Sequence, residues 1–207
     1  MKSQDLKGIL SNTLIAVSFT IVMSIITFIF LGLSTLFHPT ASLILLGSEL
    51  AKLLAAGSIY FATQVLFLPH HFQLKFPTPT CLTSVTFLTG LFLIGVIFQI
   101  QSQFQRLLPF LVVTISMLWT GLSEELIYRQ LSFQFYRQIN WQVLLWQAAI
   151  FAFIGHYGGL DEIITNFVLR LPLGLLFGWL FNKWHNLWLV SWLHGLYDLI
   201  VYLNLLP

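Results

Sequence analysis

Stretches of about twenty apolar residues follow one another almost without a break from residue 9 to the end of the chain. Nothing else constrains the fold so strongly. Packing all of them into one soluble core would require a polar shell, and the residues for such a shell are missing. Of 207 residues, 8% are charged and 57% are apolar, against roughly 25% charged in an ordinary soluble domain. A soluble enzyme is therefore not expected, and disorder needs the opposite composition. The net charge of +2 comes from scattered residues. No basic stripe could follow phosphates, so nucleic acid is not an expected partner. The apolar runs are continuous and do not alternate with period two, which argues against a membrane β-barrel. The expected fold is all-α: a polytopic membrane bundle of about seven (six to eight) transmembrane helices. It forms a single domain over residues 1–207, with the lipid bilayer as its first partner. Cys81 is the one cysteine, so neither an internal disulfide nor a cysteine-built zinc cluster is expected.

The runs cover about 9–37, 42–68 and 82–100, then one from Leu107, one from Trp141 to His156, one over 161–182 and one over 187–206. His38-Pro39 and the Pro-rich Phe76–Pro79 stretch separate the first three, and no repeat or low-complexity tract is visible. No small-residue cleavage site follows the first run, so it reads as a retained anchor and not as a signal peptide. Lys2, Lys7, Lys75, Arg137 and Lys183 fall on one side of a seven-span arrangement, and Arg106 falls on the other. The positive-inside rule then gives a cytoplasmic N-terminus and an external C-terminus.

Ionisable side chains at membrane depth are costly unless paired or facing a wet cavity, so each is a functional candidate. Here these are Glu49, Lys52, Glu124, Glu125, Arg129, His156, Arg170, His194 and Asp198. Glu49 and Lys52, three apart, read as a structural ion pair. Glu124 and Glu125 point about 100° apart around a helix. Glu125 shares a face with Arg129 four residues on, in the favourable order for a carboxylate–guanidinium pair. Glu124 has only Tyr128 on its own face. An unpaired carboxyl in apolar surroundings suits a general base, although a glutamate at the water interface would look the same in sequence. His194 has Asp198 four residues on, and an Asp can hold a ring tautomer. His156 has no such neighbour. If the helices on either side of Ile139-Asn140 form an antiparallel hairpin, Glu124 and His156 each lie about 16 residues, roughly 24 Å, from the turn and meet at one depth.

Three motifs in order then carry a family resemblance. Glu124-Glu125-Leu-Ile-Tyr-Arg129 resembles the Glu-Glu-x-x-x-Arg motif of the CPBP intramembrane proteases, which include the type II CAAX prenyl proteases and the bacterial Abi and bacteriocin-immunity proteins. His156 stands where the family has Phe-x-x-x-His, with Ala152 in the phenylalanine position and Phe151 and Phe153 beside it. His194-Gly-Leu-Tyr-Asp198 resembles His-x-x-x-Asn/Asp, and Gly174-x-x-x-Gly178 with Asn186-Leu-Trp resembles the approach to it. The resemblance covers about 107–207, the motif-bearing core. The first hundred residues match only as generic membrane helices.

The resemblance implies an intramembrane endopeptidase of a bacterial cell membrane, with peptide or membrane-protein substrates and a role in peptide maturation or bacteriocin self-immunity. Glu124 and His156 would activate a water, and His194 and Asp198 would stabilise the oxyanion or orient its donors. Glu125 and Arg129 would support the site structurally. The family has been described as metal-dependent. Zinc or another divalent ion, if bound, would take Glu124, His156 and His194 as ligands, but the His-Glu-x-x-His helix is absent and metal-free catalysis is the expectation. The alternative is a non-catalytic immunity or scaffold protein that binds a peptide or membrane partner. A rhomboid-like serine protease is disfavoured because Glu124 follows Ser123 where Gly is wanted. A transporter is disfavoured by the lack of paired halves.

Overall fold

The computed structural model describes residues 3–37, 41–67, 107–136, 138–156 and 158–205, and among these there is no strand. Six helices result, numbered here in chain order. They are α1 (Ser3–Phe37), α2 (Ala41–Phe67), α3 (Leu107–Glu125), α4 (Trp141–Phe153), α5 (Leu160–Trp184) and α6 (Leu187–Leu205). Two of them contain a wider turn. The end of α3 runs into a π turn over Leu126–Leu131 and a short 3-10 turn over Ser132–Phe135. In the middle of α5 a π turn spans Asn166–Arg170.

Local chemistry accounts for the helix ends. The side chain of Asn140 accepts from the Val143 backbone N–H (3.0 Å) and caps α4. Asn186 does the same for Leu189 (3.1 Å) at the start of α6. Such caps satisfy donors that a helix start leaves orphaned. His185 closes α5 with φ 48°, the left-handed conformation that ends many helices.

Among the described residues four helical stretches are long and apolar enough to cross a membrane: Lys7–Gly32, Ile44–Leu66, Phe110–Phe135 and Leu160–Trp184. This bears out an all-helical membrane protein but not the count of seven spans. The run over 82–100 lies outside the described residues. The run from Trp141 becomes a helix of 13 residues, about 20 Å long. That is short of the ~30 Å hydrocarbon core.

Lipid tails are as apolar as leucine, so burying apolar area drives membrane helices together only weakly. Close packing and polar contacts do more. Both are present. A Cβ on Gly121 would lie 2.5 Å from the Ser191 carbonyl oxygen and 2.6 Å from the Gly195 nitrogen, and one on Gly195 would lie 2.8 Å from the Leu118 Cα. These two glycines let α3 and α6 touch backbone to backbone. Gly174 and Gly178 play the same part between α5 and α4, against Ala148 (3.1 Å) and Leu144 (3.3 Å). Polar contacts join the elements at several points. Asn12 of α1 donates to the Tyr136 hydroxyl (3.1 Å), Thr20 of α1 to the Ile154 carbonyl (3.2 Å), and Thr120 of α3 to Glu49 of α2 (2.7 Å).

The principal partners of α3 are therefore α6 and α2, while α4 packs on the latter part of α5. The tight α3–α4 hairpin expected from the turn at Ile139-Asn140 is not the organising contact. The chain does turn there, but α3 departs from α geometry at Leu126, and α4 ends at Phe153. A register extrapolated from two ideal helices does not survive those two changes.

Candidate active site

Two consecutive carboxylates on α3 face different surroundings, as their 100° separation requires. Glu125 is fully buried. Its Oε2 lies 3.3 Å from Arg129 Nε one turn on, so the ion pair expected from the spacing is formed. Its Oε1 accepts from His194 Nδ1 of α6 at 2.8 Å, a partner the spacing did not reveal. Arg129, also fully buried, donates from Nη2 to the Gly174 carbonyl of α5 (3.1 Å) and sits 4.6 Å over the Phe151 ring of α4. One buried ion pair thereby ties four helices around the carboxylates.

The His194 ring is stacked on Phe177 (centroids 5.1 Å apart, 28° between planes) and meets the edge of Phe151 at 5.5 Å. With Nδ1 on Glu125, Nε2 points to the other side. There it lies 3.5 Å from Asp198 Oδ2 and 3.8 Å from Glu124 Oε2. The group that makes the short contact to this ring is Glu125, not Asp198. Asp198 instead shares the Nε2 side with Glu124.

Glu124 keeps 16% of its side chain exposed and opens onto a cavity of about 370 Å³ between α1, α2 and α3. Lys52, Ser123, Tyr128, Thr20 and Gly155 also line it. Lys52 is paired with Glu49 (2.6 Å), as the spacing predicted, and Glu49 also accepts from Thr120 one turn before Glu124.

His156 lies just past the end of α4, half-buried, with its ring 5.0 Å from Phe151. A clasp from α5 holds its backbone. The buried Asn166 donates to the His156 carbonyl, and Arg170 donates to Asn166 Oδ1 (2.5 Å) and pairs with Glu162. Among the described residues no hydrogen bond or ion pair joins the His156 ring to Glu124, and its Nδ1 has no partner. The structure therefore gathers Glu124, Glu125, His194 and Asp198. It leaves His156 at the neighbouring loop, one residue after the cavity-lining Gly155.

Glu124, His156 and His194, the ligand set that the resemblance implied, are not grouped as ion ligands among the described residues. Among the described residues no three His, Cys, Asp or Glu side chains are grouped so as to hold an ion.

Residues not singled out from sequence prove central to the geometry: Gly121, Gly195, Asn166 and Thr120. The two glycines had a readable signal. One precedes the glutamate pair by three residues and the other follows His194 directly, where only a missing side chain allows backbones to approach so closely.

The structure thus holds a buried carboxylate–histidine cluster between apolar helices, beside a cavity. Residues 104–200 match the family described as type II CAAX prenyl endopeptidase Rce1-like, a protease family. The match covers a little under half of the chain and contains all three motifs. That region is similar to the Rce1-like proteins, consistent with the CPBP resemblance. Comparison with curated proteins and with solved structures returned no match.

Proposed function

We propose that the protein is an intramembrane endopeptidase in which Glu124 is the general base. The observation that carries this reading is the division of labour between the two glutamates. Glu125 is consumed by Arg129 and His194, while Glu124 faces both the cavity and the free side of the His194 ring. A water in that space gives a proton to Glu124 as its oxygen attacks the peptide carbonyl carbon. The carbonyl electron pair moves onto oxygen. His194, with Nδ1 held by Glu125, presents Nε2–H to that oxyanion, and Asp198 shares the same side. Collapse breaks the C–N bond, and the proton on Glu124 passes to the leaving amine. His156 follows the cavity-lining Gly155, and we assign it the second role in activating that water. The scheme uses a peptide bond and one water and leaves an acid and an amine, without calling on a metal. The substrate class suggested by the family description is a prenylated Cys-a-a-X peptide.

The test uses the full chain in detergent with an internally quenched prenylated Cys-a-a-X peptide and its unprenylated counterpart. Glu124→Gln is expected to lower kcat by about 10²–10⁴-fold with an unchanged thermal midpoint. A fully active Glu124→Gln variant would remove Glu124 from the mechanism. Cleavage of neither peptide by the wild type would leave the non-catalytic alternative standing in its place.

A further inference from the structure

Tyr128 is unexplained by the site as described. An aromatic ring at this position is needed for packing. It is 1% exposed and sits edge-on between Phe19 of α1 (6.1 Å, 80°) and Phe151 of α4 (5.5 Å, 82°). Phenylalanine would fill that box equally well. The hydroxyl is an addition, and burying a hydroxyl in apolar surroundings costs free energy unless something is gained from it.

Where the hydroxyl goes is informative. Tyr128 is four residues after Glu124, on the same face of the chain, and lines the same cavity. Its oxygen lies against Gly155, where an added Cβ would come within 2.7 Å of it. Gly155 is the residue before His156. The phenol therefore stands between the proposed base and the histidine loop. The Tyr128 hydroxyl has no hydrogen-bond partner among the described residues, and the hydroxyl of Thr20, which lines the same cavity, is given to the Ile154 carbonyl (3.2 Å). Thr20 thus ties α1 to the loop that carries Gly155 and His156. Lys52, the cation that lines the cavity, is paired with Glu49 at 2.6 Å.

We propose that Tyr128 is a further catalytic residue, whose phenolic O–H donates a hydrogen bond to the oxyanion formed when water adds to the substrate carbonyl. This rests on the endopeptidase reading above. No proton changes hands at Tyr128. The carbonyl electron pair moves to oxygen as the water O–C bond forms, Tyr128 stabilises that charge, and the pair returns when the C–N bond breaks. The two flanking aromatic rings hold the donor in place before reaction, which is what electrostatic stabilisation of a transition state requires.

The experiment compares wild type, Tyr128→Phe and Glu124→Gln in the assay described above, together with inhibition by a peptide aldehyde, whose hydrate resembles the tetrahedral intermediate. Tyr128→Phe keeps the ring box. Its kcat is expected to fall about 10²-fold, as for loss of one oxyanion donor, with KM and thermal midpoint unchanged and aldehyde inhibition weakened in proportion. A kcat within about threefold of wild type overturns the proposal. So does a loss that leaves aldehyde inhibition intact or that follows a fall in the midpoint. If Glu124→Gln is inactive while Tyr128→Phe is not, the Tyr128 role alone fails. If the wild type cleaves neither peptide, both readings fail.

Discussion

Replacing Glu125 by Gln tests the central claim about which glutamate builds the site and which one works. The side chain is fully buried and holds Arg129 Nε at 3.3 Å and His194 Nδ1 at 2.8 Å. Gln keeps the shape and can still accept from the imidazole, but it removes the negative charge. Arg129 then remains fully buried with one carbonyl, Gly174 at 3.1 Å, and the Phe151 face at 4.6 Å. Breaking one side of a buried ion pair costs about 3–5 kcal/mol. At roughly 2–4 °C per kcal/mol for a chain of this size, the midpoint should drop by about 10 °C. The seven tryptophans allow thermal unfolding in detergent to be followed by fluorescence. The companion variant is Glu125→Gln with Arg129→Met, which removes both charges and should recover much of the loss, because the penalty lies in the uncompensated guanidinium. A Glu125→Gln midpoint within about 2 °C of wild type, converted on the same scale, would refute the reasoning. A double variant no more stable than the single one would refute it equally.

Two further expectations follow from the geometry and the charge distribution. Because Glu125 already anchors His194 at Nδ1, Asp198 is not needed to hold the ring. Asp198→Asn should keep kcat within about tenfold of wild type, and a loss of about 10²-fold or more across the whole pH range would instead make Asp198 the orienting carboxylate of His194. From Lys2 and Lys7 the N-terminus is expected on the cytoplasmic side, which a reporter fused there reads directly. An external C-terminal reporter, expected from seven crossings, requires an odd number of spans, and an internal one excludes that count.

Composition alone determined that this is a helical membrane protein, because 8% charged residues cannot coat a soluble globule and continuous apolar runs satisfy their backbone in lipid only as helices. Helical periodicity also determined the Glu125–Arg129 and Glu49–Lys52 pairs, since both lie within one turn and need no tertiary information. The order of three short motifs marked the family and the residues to watch. Tertiary structure alone decided which of those residues meet. His194 comes to Glu125 from 69 positions away because Gly121 and Gly195 allow α3 and α6 to touch. No hydrogen bond or ion pair joins the His156 ring to Glu124 among the described residues, where α3 passes into a π turn at Leu126 and α4 ends at Phe153. Contacts within a turn follow from the fixed 1.5 Å rise of a helix. Contacts between helices depend on where backbones can approach, and that is set by missing side chains and widened turns whose effects no single-helix period contains.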